Sequence, residues 1–136
     1  MADRLSPDAR SRLMARIRSR NTIPELRVRS ILHRLGFRFR LHKKDLPGTP
    51  DIVLVSRRTV IFVHGCFWHG HSCKVGKMPK SRIEYWEAKI ETNRRRDALK
   101  RKQLRKLNWK VLTIWECELK AVDKLERKLD KKIRLT

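Results

Sequence analysis

The stretch that decides the fold is residues 50–64, PDIVLVSRRTVIFVH, in which two apolar runs flank four polar residues. Short runs rich in Val and Ile on either side of such a connection are typical of a β-hairpin. Asp51–Val55 and Val60–His64 are therefore predicted to be adjacent strands. Both are apolar enough to lie in the centre of a sheet.

The sequence around the hairpin alternates between helical and strand patterns. Capping and apolar spacing predict helices over residues 22–35, 81–107 and 119–133, and period-two alternation predicts strands over residues 37–41 and 109–115. Ser81 is the predicted cap of the second of these helices, and Gly36 and Asn108 are the predicted stops of the first and second. A further, very basic helix is predicted within residues 1–21. This order predicts an α/β fold with a central mixed sheet flanked by helices, in one domain over residues 1–136.

The charge of the chain indicates its partner. It has 36 Lys and Arg against 14 Asp and Glu, a formal charge of +22, with 40% hydrophobic residues. Nucleic acid relieves the self-repulsion of such a domain by releasing counterions, and an acidic membrane surface is the competing partner. No apolar run approaches the roughly 18 residues of a membrane span, so we expect a cytoplasmic protein that is associated with the nucleoid.

Ligand-type side chains are concentrated in residues 64–73, HGCFWHGHSC, within a loop predicted over residues 65–79. Cys66, His71 and Cys73 can converge within this loop, and Cys117 follows the predicted strand at residues 109–115. A Cys₃His set is typical of a closed, structural zinc site, with His69 as the alternative to His71. Ordinary buried thiols are the other interpretation of these cysteines.

The hairpin brings Asp51 and His64 to the same end of the sheet. Mg²⁺ prefers oxygen ligands, and Glu25 together with the Val63 carbonyl could complete a site there. Other interpretations stay open: turn amides could bind Asp51, and a capping box, Thr22-Ile23-Pro24-Glu25, could occupy Glu25. His64 and His69 could simply be hydrogen-bonded histidines beside the zinc loop.

Several residues have the chemistry to contact DNA. Phe67 and Trp68 lie between the predicted zinc ligands, and aromatic residues beside basic ones can stack on bases or wedge between them. Trp109 and Trp115 are instead predicted to lie in the core. Lys89, Asn93 and Asp97 form one stripe on the long helix, which is either a solvated face or a face that reaches base edges.

At this point the sequence resembles a known family, the very short patch repair endonucleases, which are diverged members of the PD-(D/E)xK nuclease class. The resemblance extends from the basic N-terminal arm to about Cys117. It depends on residues 46–51, LPGTPD, on residues 60–69, VIFVHGCFWH, on the spacing to Cys73, and on residues 109–117, WKVLTIWEC.

The resemblance implies a diverged restriction-endonuclease-like fold and a DNA endonuclease that recognises thymine opposite guanine. Such an enzyme nicks the thymine strand on its 5′ side with Mg²⁺. The acid and lysine of the wider class correspond here to Phe62 and His64, so both are missing. The family uses a backbone carbonyl as a second protein ligand, which falls on Val63 in this chain.

The resemblance also implies roles for individual residues. Asp51 binds Mg²⁺, Glu25 orders water on the metal, His69 activates the attacking water, and His64 contacts the scissile phosphate. The structural Zn²⁺ is held by Cys66, His71, Cys73 and Cys117. The residues implied to contact DNA are Met14, Ile17, Phe67, Trp68, Trp86, Lys89 and Asn93.

The expected substrate is double-stranded DNA with a T·G mismatch, bound by a monomer that needs no small-molecule cofactor. Two rival hypotheses remain. The chain could be a nuclease of the same class that cuts undamaged DNA, or a zinc-containing DNA-binding protein without catalysis.

Overall fold

The computed structural model describes residues 22–66 and 82–135. The predicted basic arm, residues 1–21, and most of the predicted zinc loop lie outside the described residues. The elements in chain order are α1 (Ile23–Arg34), β1 (Arg40–Leu41), β2 (Ile52–Leu54), β3 (Thr59–His64), α2 (Ile83–Lys106), β4 (Lys110–Trp115) and α3 (Val122–Arg134). Two short 3₁₀ helices, Val55–Arg57 and Glu116–Lys120, follow β2 and β4.

The four strands form one mixed sheet in the order β1-β2-β3-β4. The predicted hairpin is confirmed: β2 pairs antiparallel with β3, and Ile52 lies opposite Ile61. The connection between them ends at Arg58, whose φ of 49° places it in the left-handed region. β4 lies parallel to β3, with His64 opposite Trp115, so these two strands end at the same edge of the sheet.

The strand predicted over residues 37–41 is shorter in the structure. Only Arg40 and Leu41 form β1, opposite Val53 and Ile52. The preceding residues complete the end of α1 instead: Gly36 has a φ of 84°, and the Phe37 N–H donates to the Leu32 carbonyl. The Phe37 N–H is thus used to close the helix C-terminus and is not available to pair with β2, which shortens the strand.

Helices cover both faces of the sheet. On one face, α1 and α3 bury apolar residues against β2, β3 and β4, including Leu32, Ile61 and Leu129. On the other face, Leu104 of α2 and Trp109 pack on Val60 and its neighbours. The predicted core position of Trp109 is confirmed, whereas Trp115 is only half-buried.

The ends of α2 differ in how well the sequence predicted them. Asn108 has a φ of 66° directly after the last turn, as its predicted role as a helix stop requires. The helix begins at Ile83, one residue after Arg82, which has a φ of 55° and provides no side-chain cap. The predicted capping residue at this end, Ser81, lies outside the described residues.

The described part of the chain is thus α/β, with a four-stranded mixed sheet flanked by helices, consistent with a nuclease-like fold. None of its helices is both long enough and apolar enough to cross a membrane.

Candidate active site

Asp51 enters the sheet from a loop that packs closely on α2. At Gly48, where φ is 78°, an added Cβ would lie 3.0 Å from the Lys100 Cβ and 3.3 Å from the Phe62 ring. Only glycine satisfies both the conformation and the close approach. The loop is therefore fixed against α2, and Asp51 follows it immediately before β2.

The Asp51 carboxylate reaches across to β3. Its Oδ2 accepts a hydrogen bond of 2.7 Å from the Val63 N–H. In an extended strand the N–H and C=O of one residue point to the same edge, so the Val63 carbonyl points toward the same side as Asp51. The hairpin therefore brings Asp51 and Val63 together, as the sequence predicted.

Glu25 adds a second carboxylate from the first turn of α1, where it is only 2% exposed. Its N–H donates to Thr22 Oγ1 at 3.3 Å, so the backbone half of the predicted capping box is present. The carboxylate itself points elsewhere: Arg29 Nη2 donates to Oε2 at 2.7 Å. Capping and a place in the site are therefore compatible for this residue.

His42 is a member of the site that the sequence analysis did not predict. Its Nε2 lies 3.2 and 3.3 Å from the two carboxylate oxygens of Glu25. Ligand atoms of Glu25, His42 and Asp51 all lie within 4.8 Å of one another. The sequence offered one signal, because His42 directly follows the predicted strand over residues 37–41. Placing His42 beside Asp51 also required the register of β1 against β2, which the sequence did not reveal.

The surroundings of Asp51 disfavour its charged form. Burial raises the pKa of Asp51 to about 8, and the adjoining Glu25 carboxylate adds to the increase, while the Val63 N–H acts against it. Two carboxylates at close range repel each other when both are ionised. A divalent cation removes this repulsion, so the donor set fits a metal-dependent nuclease.

His64 lies at the end of β3 and is 5% exposed. Its ring centroid lies 5.3 Å from that of Trp115 in an edge-on arrangement, and 5.7 Å from that of Phe62. These aromatic neighbours hold the ring at the C-terminal end of β3, directly after Val63. His69, the predicted base, lies outside the described residues.

Two of the four predicted zinc ligands are described. Cys66 lies two residues after the last paired residue of β3, and Cys117 lies two residues after the last paired residue of β4. Because β3 and β4 are parallel neighbours, both cysteines follow strand ends that lie side by side. The Cys66 N–H also donates to Glu116 Oε1 at 3.4 Å, which ties the two segments together. Soft thiolates arranged in this way suit Zn²⁺. His71 and Cys73 lie outside the described residues.

Comparison with known proteins identifies the family. Residues 2–75, more than half of the chain, match the family described as DNA mismatch endonuclease Vsr. The chain belongs to the Vsr family. It is 59% identical over 129 residues to the type II nicking enzyme V.XorIIP of Xanthomonas oryzae, covering 95% of each chain. It is 44% identical over 125 residues to DNA mismatch endonuclease Vsr of Escherichia coli, covering 92% of this chain and 80% of the relative.

Membership of the Vsr family makes the chain a DNA endonuclease of mismatch repair. This confirms the predicted family and enzyme class, and DNA is the partner. The hypothesis of a DNA-binding protein without catalysis is set aside. The Asp51, Glu25 and His42 group is the candidate metal centre of this Vsr-family enzyme.

Three residues that were predicted to contact DNA, Trp86, Lys89 and Asn93, lie on α2 and are half-buried. Asp97, which belongs to the same stripe as Lys89 and Asn93, is also half-buried. The neighbouring Tyr85 is 47% exposed, and its ring lies 5.0 Å from that of Trp86. The other residues that the Vsr resemblance assigned to DNA contact lie outside the described residues: Met14, Ile17, Phe67 and Trp68.

The raised pKa of Asp51 predicts how stability depends on pH when no divalent cation is added. Protonated Asp51 contributes its full stabilisation below pH 3.8, the ordinary pKa of the group. This contribution is lost as the pH rises to the folded-state pKa of about 8. The free energy of unfolding should therefore fall more steeply between about pH 4 and pH 8 in the wild-type chain than in Asp51→Asn. Urea unfolding across this range measures it, and parallel profiles would contradict the prediction.

Proposed function

We propose that this chain nicks the thymine-containing strand of a T·G mismatch, 5′ to the thymine, by Mg²⁺-dependent hydrolysis. The observation that carries the proposal is the Asp51 carboxylate, held at 2.7 Å from the Val63 N–H with the buried Glu25 carboxylate beside it. The lesion is the product of 5-methylcytosine deamination. The names of the relatives, a mismatch endonuclease and nicking enzymes, support nicking and action on a mismatch.

Asp51 and the Val63 carbonyl are the proposed protein ligands of Mg²⁺. When bound, Mg²⁺ supplies charge neutralisation for the pentavalent phosphate and lowers the pKa of its water. Glu25, whose Oε2 accepts a hydrogen bond of 2.7 Å from Arg29, orients water at the site. An ionised carboxylate can accept about four hydrogen bonds, so it can hold a water beside Arg29 and His42.

Two histidines are proposed to act on the phosphodiester. His64 contacts the scissile phosphate, and its position between Phe62 and Trp115 limits how far the ring can rotate. His69 takes the proton from the attacking water, five residues further along the chain. An imidazole is suited to this role because its ordinary pKa lies close to neutral pH.

We assign the structural zinc to Cys66, His71, Cys73 and Cys117. A site with four protein ligands leaves no position for a water, so its role is to hold the loop that carries His69. The shared edge of β3 and β4, which places Cys66 and Cys117 together, supports this assignment.

Recognition of the mismatch is assigned to aromatic insertion together with the α2 stripe. Phe67, Trp68 and Trp86 enter the stack, Met14 and Ile17 enter the minor groove, and Lys89 and Asn93 face the mismatched pair. A mismatched step costs less to unstack than a paired one, so insertion itself selects the lesion. The formal charge of +22 supplies the attraction to the backbone.

We also propose that residues 1–136 act as one endonuclease domain, with an N-terminal arm and a zinc and wedge loop. A monomer is sufficient because a T·G pair has no two-fold symmetry. Bacterial relatives support action on nucleoid DNA in the cytoplasm.

End-labelled duplexes that differ in a single base pair test the specificity. We expect the T·G duplex to be nicked on the thymine strand about a hundredfold faster than its T·A counterpart, which corresponds to a few kcal/mol of unstacking cost. The other mispairs serve as controls for general helix instability. Equal cleavage of T·G and T·A duplexes would instead identify a nuclease that cuts undamaged DNA.

A further inference from the structure

The backbone of His42 is in the left-handed region, with a φ of 46°. Only a few per cent of residues other than glycine adopt this region, and histidine is among those that do so more often. Its N–H donates to the Asp51 carbonyl at 3.2 Å, which extends the pairing of β1 with β2 by one residue. Strained backbone that the surrounding structure maintains is concentrated at functional sites.

This conformation directs the ring of His42 at the carboxylates. The side chain is 11% exposed, and its Nε2 lies 3.2 Å from Glu25 Oε1 and 3.3 Å from Oε2. Adjacent ligands of an octahedral ion with bonds of about 2.2 Å lie about 3.1 Å apart. The spacing of nitrogen and oxygen here therefore matches one edge of an octahedral site.

We propose that His42 is a nitrogen ligand of the metal centre and that it raises the affinity of this centre for Mn²⁺ more than its affinity for Mg²⁺. The inference rests on the proposed function, because it uses the same site that Asp51 and Glu25 form. Imidazole suits transition-metal dications, whereas Mg²⁺ favours oxygen ligands and keeps several waters. A half-buried histidine in the centre therefore adds affinity for Mn²⁺ and little for Mg²⁺.

The test uses the full, zinc-loaded chain and the metals themselves as probes. His42→Asn removes the imidazole and keeps a residue that tolerates the left-handed region, so the variant should fold. Electron spin echo spectroscopy of bound Mn²⁺ should show coupling to one imidazole ¹⁴N in the wild-type chain, and the variant should lack it. Mn²⁺ affinity should fall about tenfold, and Mg²⁺ affinity, measured by displacement of Mn²⁺, should change less than about twofold.

His33→Asn is the matched control. His33 lies in the last turn of α1, and its ring is tilted against that of Phe39 with 4.8 Å between the centroids. It is not a member of the metal group that Glu25, His42 and Asp51 form. This variant should retain both the ¹⁴N coupling and the Mn²⁺ affinity of the wild-type chain.

Two outcomes would overturn the role of His42: a wild-type spectrum without nitrogen coupling, or coupling that persists in His42→Asn. An equal loss of Mg²⁺ and Mn²⁺ affinity would also overturn the proposed selectivity. Asp51→Asn separates this inference from the proposed function. If Asp51→Asn weakens Mn²⁺ binding but the wild-type spectrum shows no ¹⁴N coupling, only the role of His42 is wrong. If Asp51→Asn binds Mn²⁺ as tightly as the wild-type chain, the proposed metal centre itself is wrong.

Discussion

Replacing Asp51 with Asn should lower the rate of strand cleavage by about a thousandfold and leave DNA affinity intact. The variant keeps the size of the side chain but loses the charge at the proposed metal site. A bound metal is worth several kcal/mol of charge stabilisation in the transition state, and each 1.36 kcal/mol is a factor of about ten in rate. Single-turnover cleavage of a T·G duplex measures the loss, and a binding titration measures the affinity.

Asp45→Asn is the matched control for this experiment. Asp45 lies six residues before Asp51, is 68% exposed, and pairs with Lys43 at 3.0 Å on the surface. Exposed ion pairs contribute little, so this variant should cleave at the wild-type rate. The proposed role of Asp51 would be wrong if its variant cleaved normally, or if it lost DNA binding together with cleavage.

Loss of zinc is the second change from which we expect a large effect. Cys117→Ser removes a proposed ligand and should reduce bound zinc from about one per chain, with destabilisation of several kcal/mol. For a chain of this size, that lowers the midpoint of thermal unfolding by about 10 °C. The physical reason is that Cys66 and Cys117 connect the ends of two strands through the metal, at an edge where hydrogen bonding between β3 and β4 has ended.

Metal analysis together with thermal unfolding measures this effect. Asp45→Asn is the control for stability, because this residue is exposed and its surface ion pair contributes little, so the variant should retain its zinc and the wild-type midpoint. Asp51→Asn should also retain its zinc, which separates the proposed zinc site from the proposed magnesium site. A zinc-free chain that folds and cleaves like the wild-type protein would refute the structural role of the site.

The sequence predicted the sheet well because its pattern is local. β2 and the interior of β3 consist of apolar residues, and Arg58 lies within the short connection predicted between the two strands. Stop signals for helices were equally readable: Gly36 and Asn108 both adopt the positive φ that ends a helix. Where a competing local structure was available, at residues 37–39, the predicted strand was too long.

Part of the site followed from topology as well. Predicting a hairpin was enough to place Asp51 beside Val63, because the ends of paired strands meet. The direction of the Glu25 side chain could not be predicted, since the side-chain half of a capping box and a place in the site both require its carboxylate. In the structure the Glu25 backbone N–H takes part in the cap, and the carboxylate lies in the site, 2.7 Å from Arg29 and 3.2 Å from His42.

The sequence alone determined the family, the strands and the identity of the proposed catalytic aspartate, because each depends on residue type and short-range spacing. Only the tertiary structure decided that His42 joins Glu25 and Asp51 in one centre. These three residues come from a helix, the end of an edge strand and the start of a central strand. Their convergence depends on strand register and on how α1 packs against the sheet, and no local pattern encodes either.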